Sequence, residues 1–362
     1  MIYRPVKAYI NLPSLGHNLR LIKKLAPRSK ILAVIKANGY GHDICRVAQH
    51  LSEADGFAVA SIDEALLLRQ KGFLHRILLL EGLFSAAELS QVIQNRLDLV
   101  IHSQHQLEWL LEHRHDAVIN VWIKIDTGMH RLGFHPDAVQ SVVQSLLQSS
   151  NAYQINLMSH LAVADEQQEQ FKQFTHRQIQ SFEAHTSNWN FSRSLANSAG
   201  ILHYPETHFD WVRPGILLYG AGMPKKCIYD FKPVMRLESQ VIALKWVQEG
   251  EFIGYGNRWQ ASKDTYIGVI AVGYGDGYPR HAKDGTPVLV NGHRVPMIGR
   301  VSMDMITVDL SHFVDEVSIG DRAILWGDEQ LSVDEVAEWS DTIGYELLTG
   351  ITQRVPFIEV RN

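Results

Sequence analysis

Short, continuously apolar runs alternate with amphipathic helical patterns between about residues 30 and 216, and this alternation constrains the fold more than any other feature. Such runs are typical of parallel strands, because both faces of a parallel sheet are covered. Eight strand–helix units in one stretch are the number found in a (β/α)8 TIM-type barrel, and an open, doubly wound parallel sheet is the alternative. The runs predicted to be strands are residues 31–36, 56–60, 76–80, 98–102, 118–126, 154–160, 193–196 and 209–213.

Two of the intervening segments carry the start signal known as a capping box. In this pattern a serine and a glutamate three residues later satisfy free backbone amides at the start of a helix. Ser61 with Glu64 precedes one amphipathic segment, and Ser85 with Glu88 precedes another. We therefore expect helices to begin directly after Ser61 and Ser85.

The pattern changes after Pro224, where short β-like runs are separated by Gly, Pro and Asn-Gly turns. This predicts an α/β barrel over residues 1–230 and a mainly antiparallel β domain over residues 231–362. A strand-like segment at residues 7–11 precedes the barrel, so residues 1–10 are able to pair with the C-terminal domain instead. The β-like runs of this second domain are 237–246, 266–272, 287–290, 295–298, 306–310 and 322–325, with an Asn291-Gly292 turn and a helix near 333–339.

Length and charge narrow the class of protein. The chain has 362 residues, which suits two domains better than one core. Its net charge is −5 with 18 histidines counted neutral, and no long basic run is present, which argues against a nucleic-acid partner. No apolar run approaches the roughly 20 residues of a membrane span. We therefore expect a protein that acts on a small molecule.

The two cysteines, Cys45 and Cys227, are far apart in the sequence and lack the spacing of metal ligands. Free thiols of this kind are typical of proteins in a reducing compartment. The N-terminus also lacks an apolar segment of signal-peptide length. These features predict a cytoplasmic protein without a metal site.

Reactive residues fall at the carboxyl ends of the predicted barrel strands, or just beyond them, where barrel enzymes place their active sites. Lys36 closes the first strand, and an amine held beside an apolar core can form a Schiff base with an aldehyde. A lysine whose amine simply reaches solvent is the alternative. The other residues at this rim are Arg131 after the fifth strand, His160 at the end of the sixth, Asn197 and Ser198 after the seventh, and Arg213 at the end of the eighth.

The loops after the seventh and eighth strands suit a phosphate group. Barrels often bind phosphate there, and small residues allow backbone amides to approach an anion. The loops contain Asn197-Ser198-Ala199-Gly200 and Gly215-Ile216, and Ser198 adds a hydroxyl. Two ordinary tight turns are the alternative.

The segment 33–42 (AVIKANGYGH) resembles the cofactor-lysine motif of the alanine racemases, a family that uses pyridoxal phosphate. The resemblance extends over nearly the whole chain, and the lysine, RPG and SMD blocks are highly specific. The other matching blocks, in the family's order, are 126–133 (DTGMHRLG), 159–162 (SHLA), 213–220 (RPGILLYG), 254–256 (GYG), 273–276 (GYGD), 299–304 (GRVSMD) and 344–348 (GYELL).

The resemblance implies a (β/α)8 barrel followed by a β domain, and a role for each matching residue. Lys36 would hold pyridoxal phosphate covalently and act as one catalytic base, and Tyr255 would be the second base on the opposite face of the substrate. His160 would pack by the cofactor ring and order Arg213. The phosphate contacts would come from Tyr40, Ser198, Gly215, Ile216 and Tyr345.

The resemblance also implies how the substrate is held. Arg131 would bond the cofactor phenolate and help to hold the substrate carboxylate, which the backbone of Met303 would also bind. Tyr274 would narrow the entrance. Lys124 matches a position that is carbamylated in some members of the family. The family further implies a homodimer, in which Tyr255 reaches the barrel of the partner.

Arg213 is the informative cation among these residues, because an arginine keeps its proton under working conditions. Facing a pyridine nitrogen, it would leave that nitrogen unprotonated, whereas an acidic partner would make the ring a stronger electron sink. A weak sink favours rapid return of the proton to the same carbon, which suits racemisation. A salt bridge between Arg213 and a carboxylate such as Asp210 is the alternative.

Two positions depart from the family pattern. Ser302 stands where many members carry Cys, and Phe357 stands where many carry Arg. The first should matter little, because the expected contact at this block is made by the backbone. The second bears on packing near the C-terminus.

These observations predict an isomerase that interconverts L-alanine and D-alanine, for peptidoglycan precursors or for alanine catabolism. Three other functions stay open. One is a non-catalytic carrier of pyridoxal phosphate, against which the second domain argues. Another is a decarboxylase of similar layout, whose cofactor nitrogen would face an acid instead of Arg213. The third is a racemase of serine or of broader scope.

Overall fold

The computed structural model describes residues 3–224 and 228–360, so Cys227 lies outside the described residues. Contacts divide the chain into two compact units. One unit consists of Asn18–Gly39 and Asp43–Leu218, and the other of Met1–His17, Tyr40–His42 and Tyr219–Asn362. The main division, at Leu218 and Tyr219, precedes the boundary expected near Asp230. In the described part of the chain, every helix is too short or too polar to cross a membrane.

The first strand, β1 (Lys7–Asn11), belongs to the second of these units. It pairs antiparallel with the strand at 235–247 and parallel with the last strand of the chain. Its alternating half-buried and buried residues fit this position in a sheet with one covered face.

Eight parallel strands close into a barrel, which confirms the predicted fold class. The open-sheet alternative is wrong, because the last strand of the set pairs with the first through Lys30 with Trp211 and Ile31 with Val212. Most residues of these strands are buried, which explains the continuous apolar runs in the sequence. The strands are β2 (Lys30–Val34), β3 (Gly56–Val59), β4 (Arg76–Leu79), β5 (Asp98–Ile101), β6 (Ile119–Lys124), β7 (Tyr153–Met158), β8 (Ser192–Ser194) and β9 (Trp211–Val212).

Helices connect the barrel strands. The segment Lys36–Tyr40, called α2 below, differs from the others because its central residues have left-handed backbone dihedral angles. The full set is α1 (Leu12–Leu25), α2 (Lys36–Tyr40), α3 (Ile44–His50), α4 (Ile62–Gln70), α5 (Leu89–Gln94), α6 (Gln104–Glu112), α7 (Val139–Leu147), α8 (Glu169–Thr186) and α9 (Ser198–His203).

The capping box predicted at Ser61 is wrong, although α4 does begin after it. The Ser61 side chain makes no capping hydrogen bond. The Glu64 carboxylate instead accepts hydrogen bonds from the backbone amides of Ala60 at 2.9 Å and Asn38 at 3.2 Å. Glu64 therefore reaches past Ser61 and supports the turn that follows Lys36.

The second unit is a mainly antiparallel sheet, as predicted. Its strands lie in the order 265–270, 306–309, 293–298, 287–290, 322–326, 235–247, 7–11 and 357–360, and strand 265–270 also pairs with strand 235–247. The Asn291-Gly292 turn joins two paired strands, with φ of 48° and 86°, the left-handed values that a tight hairpin requires. The two-residue strands of one hairpin and the final strand were not predicted. The elements are β10 (Met235–Val247), β11 (Phe252–Ile253), β12 (Trp259–Gln260), β13 (Thr265–Ile270), β14 (Pro287–Val290), β15 (His293–Ile298), β16 (Ile306–Asp309), β17 (Arg322–Trp326), α10 (Val333–Trp339), α11 (Gly344–Thr349) and β18 (Phe357–Val360).

Candidate active site

The chemically reactive residues of the barrel unit lie at the carboxyl ends of its strands, called the C-terminal rim below. Lys36 follows β2, and Lys124 ends β6. His160 follows β7, Ser198 begins α9 after β8, and Arg213 directly follows β9. A parallel barrel brings these strand ends to one face, so residues far apart in the sequence share one site.

Arg213 is a buried cation whose protein partners are neutral. Its side chain donates to the Ser194 hydroxyl at 2.6 Å and to the backbone carbonyl of Ser159. None of the ion pairs among the described residues includes Arg213, which is 3% exposed. The alternative salt bridge to Asp210 is wrong, because that carboxylate accepts a hydrogen bond from the backbone amide of Arg193 at 2.7 Å.

Burial lowers the pKa of Arg213 to about 10, so the guanidinium keeps its proton near neutral pH. A buried charge without a charged partner is unfavourable for a folded protein. Such a charge is therefore a pointer to a ligand group that accepts hydrogen bonds or carries negative charge.

His160 is held in its neutral form beside this cation. Burial, followed by the charge of Arg213, lowers the pKa of His160 well below its ordinary value. Its Nδ1 atom lies 3.5 Å from the Arg213 guanidinium, and its backbone carbonyl accepts from the Gln178 amide at 3.1 Å. A neutral imidazole in this position can accept a hydrogen bond from Arg213 and help to fix its orientation.

The lowered pKa of Lys124 indicates that several cations lie close together at the rim. Lys124 is 8% exposed, and its pKa is lowered to about 8. Burial is the largest cause, followed by the charges of Arg213, Arg131 and Lys36, while the charge of Glu81 acts in the opposite direction. The C-terminal rim is therefore a site of concentrated positive charge, a setting that favours anions.

The turn after Lys36 is a strained segment. Ala37, Asn38 and Gly39 have φ of 52°, 54° and 64°, a left-handed conformation that costs about 1–2 kcal/mol per non-glycine residue. The Asn38 side chain holds the turn by accepting a hydrogen bond from the backbone amide of Ile44 at 3.0 Å. Strain of this kind persists where the surrounding structure imposes it, often at functional sites.

The two glycine-containing loops predicted to bind phosphate meet at Ser198. The Ser198 hydroxyl accepts hydrogen bonds from the backbone amides of Gly215 at 3.0 Å and Leu217 at 3.4 Å. Its own proton is therefore left to be donated. Among the residues that the structure describes, no protein acceptor binds the backbone amide of Ile216. Asn197, whose role was not predicted, caps α9 by accepting from the Gly200 amide at 2.9 Å.

The second unit brings together another part of the predicted set. The buried ring of Tyr40 lies 4.7 Å from that of Tyr219 and 5.9 Å from that of Tyr345, centroid to centroid. Burial and then Tyr345 raise the pKa of Tyr40, so its phenol stays neutral and able to donate. Gly41 packs so closely on the carbonyl of Leu348 that a side chain would collide with it.

Tyr274 and Met303 lie on two loops that are hydrogen-bonded to each other. The backbone amide of Tyr274 donates to the carbonyl of Ser302 at 3.0 Å, and that of Gly275 donates to the carbonyl of Met303 at 2.8 Å. Both predicted residues are accessible, at 38% for Tyr274 and 52% for Met303.

Tyr255 occupies the short hairpin between β11 and β12 and is 71% exposed. Gly254 and Gly256 flank it with φ of 74° and 76°, so the hairpin depends on glycine on both sides of the tyrosine. In the chain by itself, Tyr255 is a surface residue.

The predicted residues thus form three sets: one at the C-terminal rim, one around Tyr40 and Tyr345, and one on the Tyr274 and Met303 loops. Tyr255 lies apart from these sets on its hairpin. Sequence reasoning missed the groups that orient Arg213, the Ser194 hydroxyl and the Ser159 carbonyl. A serine inside a predicted barrel strand was the available signal for Ser194, because a hydroxyl that becomes buried needs a partner.

Comparison with known proteins decides the family. The alanine racemase N-terminal domain model matches residues 10–223, and the alanine racemase C-terminal domain model matches residues 234–359. The chain belongs to the alanine racemase family. The predicted resemblance is confirmed over both domains, which argues against a carrier limited to a barrel.

Curated and solved relatives agree with this assignment. An alanine racemase of Vibrio cholerae serotype O1 is 49% identical over 352 residues, covering 96% of each chain. The crystal structure of the biosynthetic alanine racemase from Pseudomonas aeruginosa matches with a TM-score of 0.94 and 45% identity, covering 99% of this chain and 100% of the other. The alanine racemase structure from Acinetobacter baumannii matches with a TM-score of 0.90 and 37% identity, at the same coverage.

Proposed function

We propose that this chain interconverts L-alanine and D-alanine with pyridoxal phosphate bound covalently to Lys36. The observation that carries the proposal is the buried Arg213 guanidinium, which has only neutral partners at the rim where Lys36 lies. A carboxylate in that position would instead have favoured a decarboxylase. Purified protein supplied with pyridoxal phosphate should convert either pure enantiomer of alanine to the racemate without releasing CO2. Release of CO2, or no change in optical rotation, would contradict the proposal.

The residues present fit the parts of this cofactor. The Lys36 amine suits the aldehyde, and the unpaired cation of Arg213 suits a ring nitrogen that accepts a hydrogen bond. The Ser198 hydroxyl and the backbone amides of Gly215 and Ile216 suit a phosphate. We assign Tyr40 and Tyr345 to the phosphate, His160 to the ring and Arg131 to the phenolate on the basis of the family resemblance.

Pyridoxal phosphate, when bound, supplies an electron-withdrawing ring that spreads the negative charge left after an α-proton is removed. The protein residues around the ring control how strongly that charge is withdrawn. Arg213 keeps its own proton and donates a hydrogen bond, so the electron withdrawal stays limited. Limited withdrawal favours rapid return of a proton to the same carbon, which is the requirement for racemisation.

Inversion needs a proton acceptor on one face of the α-carbon and a donor on the other. We assign the D-alanine proton to the Lys36 Nζ atom and the L-alanine proton to the Tyr255 hydroxyl. The Tyr255→Phe variant should slow racemisation of both isomers by about 10²-fold or more and should change the isotope effect seen with α-deuterated substrates. Rates close to those of the unaltered protein for both isomers would refute the assignment.

The accessible position of Tyr255 supports a shared site. We propose that the enzyme works as a head-to-tail homodimer in which Tyr255 serves the barrel of the other chain. Mixing inactive Lys36→Ala and Tyr255→Ala chains should restore part of the activity, because one of the two sites in a mixed dimer is intact. A mixed dimer confirmed by mass but without activity would contradict the shared site.

We propose that Lys124 is carbamylated, as the corresponding residue is in some family members. The modification would place a negative charge among the cations that now lower the pKa of Lys124. It would also give Arg131 an anionic partner. Protein equilibrated with ¹³CO2 should show a carbamate carbon signal that is absent from the Lys124→Ala variant, and no such signal would contradict the modification.

We propose that alanine is the preferred substrate, held by Arg131 and the Met303 backbone, with Tyr274 narrowing the entrance. Comparison of kcat/KM for alanine and serine tests this preference, and equal values would contradict it. The reaction is assigned to the cytoplasm, where the free thiol of Cys45 stays reduced. It would supply D-alanine for peptidoglycan or serve alanine catabolism, and growth of a deletion strain with and without D-alanine distinguishes these roles.

A further inference from the structure

The second unit contains a buried carboxylate that no step of the proposed reaction uses. The side chain of Asp276 is fully buried, and two arginines from opposite ends of the sequence bind it. Arg4 donates to it through Nη2 at 2.7 Å and Nε at 3.3 Å. Arg354 donates through Nε at 2.8 Å. Burying a carboxylate costs desolvation energy, which charged partners must offset, as the two arginines do here.

The same two arginines reach a second loop. Arg4 donates to the backbone carbonyl of Asp304 at 2.9 Å, and the Arg354 guanidinium pairs with the Asp304 carboxylate. The charge-assisted hydrogen bonds to Asp276 and Asp304 therefore tie together two segments, 273–276 and 302–304. Within the first segment, the Asp276 carboxylate also accepts from the Gly273 amide at 2.9 Å.

These two segments carry Tyr274 and Met303. Their backbones approach so closely that a side chain on Gly273 would collide with Ser302 and Met303. The Gly275 amide occupies the Met303 carbonyl at 2.8 Å. Among the described residues, no protein acceptor binds the Met303 amide, so it is oriented by its neighbours and left available to a ligand.

We propose that Asp276, held by Arg4 and Arg354, is a positioning residue that fixes the Met303 amide and so sets the affinity for the substrate carboxylate. The inference rests on the proposed function, in which Met303 binds that carboxylate. Arg4 precedes β1 and contacts neither Tyr274 nor Met303 through any hydrogen bond or ion pair in the described residues, so it acts through Asp276 and the Asp304 backbone.

The test compares Arg4→Ala with Arg294→Ala, a matched control that breaks the Arg294–Glu335 ion pair elsewhere in the same unit. Arg4→Ala should raise KM for L-alanine and for D-alanine about tenfold, with kcat within about threefold of the unaltered protein. Because the two enantiomers are equally stable in water, kcat/KM must fall by the same factor in both directions. Arg294→Ala should leave both constants unchanged.

Binding of propionate, which is alanine without its amino group, gives a readout other than activity. Its Kd, measured by calorimetry, should rise by about the same factor as KM in Arg4→Ala, while pyridoxal phosphate content stays constant. A purely structural role would lower cofactor content and thermal stability without this selective loss of carboxylate affinity. KM and Kd within about twofold of the unaltered protein would overturn the inference.

A second variant keeps the test decisive if Arg4→Ala does not fold. Arg4→Lys retains a charge beside Asp276 and loses the forked two-point contact, so it should give a smaller rise in KM and Kd. Unchanged values in Arg4→Lys would then overturn the inference. A chain that lacks racemase activity altogether would contradict the proposed function, and propionate binding by the two Arg4 variants would still decide the inference.

Discussion

The two ends of the barrel differ in whether a buried charge has a partner of opposite charge. At the N-terminal end, Arg76 pairs with the buried carboxylate of Asp98 at 3.1 Å, and the Trp122 indole donates to the same carboxylate at 2.9 Å. Arg76 also lies over the Trp211 ring, 5.3 Å from its centroid. At the C-terminal rim, Arg213 is more deeply buried than Arg76 and has only neutral partners.

This difference separates a structural end from a chemical end. Charges that are paired within the protein are already compensated and do not require a ligand. Cations that converge in excess of carboxylates lower the stability of the empty protein and raise its affinity for an anionic ligand, which recovers that stability on binding. The barrel therefore has one end whose charges are paired and one end with an excess of positive charge, where we propose that pyridoxal phosphate binds.

The largest expected effect distinguishes the lysine that begins strand β2 from the lysine that follows it. Lys30 begins the strand, 5.3 Å from the Trp211 ring centroid, and Lys36 lies just beyond its other end. The Lys36→Ala variant should lose at least about 10³-fold in racemase kcat, because it lacks both the proposed cofactor attachment and one proposed base. Lys30→Ala should keep nearly full activity. Comparable losses of kcat in both variants would contradict the distinction between a structural and a chemical end of the barrel.

Replacing Arg213 and Arg76 by methionine should separate an effect on activity from an effect on stability. Arg213→Met should lower kcat about 10²-fold, while the free energy of unfolding of the empty protein changes by less than about 1 kcal/mol. Arg76→Met should leave kcat nearly unchanged and lower the free energy of unfolding by about 2 kcal/mol, because Asp98 loses its charged partner. Urea titration and steady-state kinetics measure both quantities. The reverse pattern would contradict the comparison.

The smallest expected effect is a pH dependence at the structural end. Burial raises the pKa of Asp98 from 3.8 to about 6, against the opposing charge of Arg76. A raised acid pKa in the folded state favours the protonated form, so the contribution of Asp98 to stability is greatest below about pH 4. It is lost as the pH rises through about 6.

The Asp98→Asn variant should remove this component of the pH dependence. The free energy of unfolding of the unaltered protein should fall, relative to that of Asp98→Asn, by on the order of 2 kcal/mol between pH 4 and pH 7.5. Parallel stability curves for the two proteins would show that Asp98 does not titrate in this range.

The sequence predicted the barrel well, because each strand is buried on both faces and so appears as an unbroken apolar run. The predictions were less accurate for the hydrogen-bond and ion-pair partners of individual side chains, which depend on the three-dimensional structure. The choice of Arg213 between Asp210 and neutral oxygens depends on side-chain geometry, and Glu64 bypassed Ser61 to reach Ala60.

Two further features left no readable signal in the sequence. The hairpin that carries Tyr255 has strands of two residues each, which is too short for a periodic pattern. The contact between Arg4 and Asp276 joins residues 272 positions apart, so no local motif announces it. By contrast, family blocks identified the candidate site residues themselves, because those residues occur within specific short motifs.

Reduction with borohydride tests most directly which end of the barrel holds the cofactor. The protein loaded with pyridoxal phosphate is reduced, digested and mapped by mass spectrometry, so that the cofactor becomes a permanent label on the lysine that carries it. The label should appear on Lys36 and should be absent from the Lys36→Ala variant. A label on Lys30, or on any lysine away from the C-terminal rim, would contradict the assignment of that rim as the chemical end.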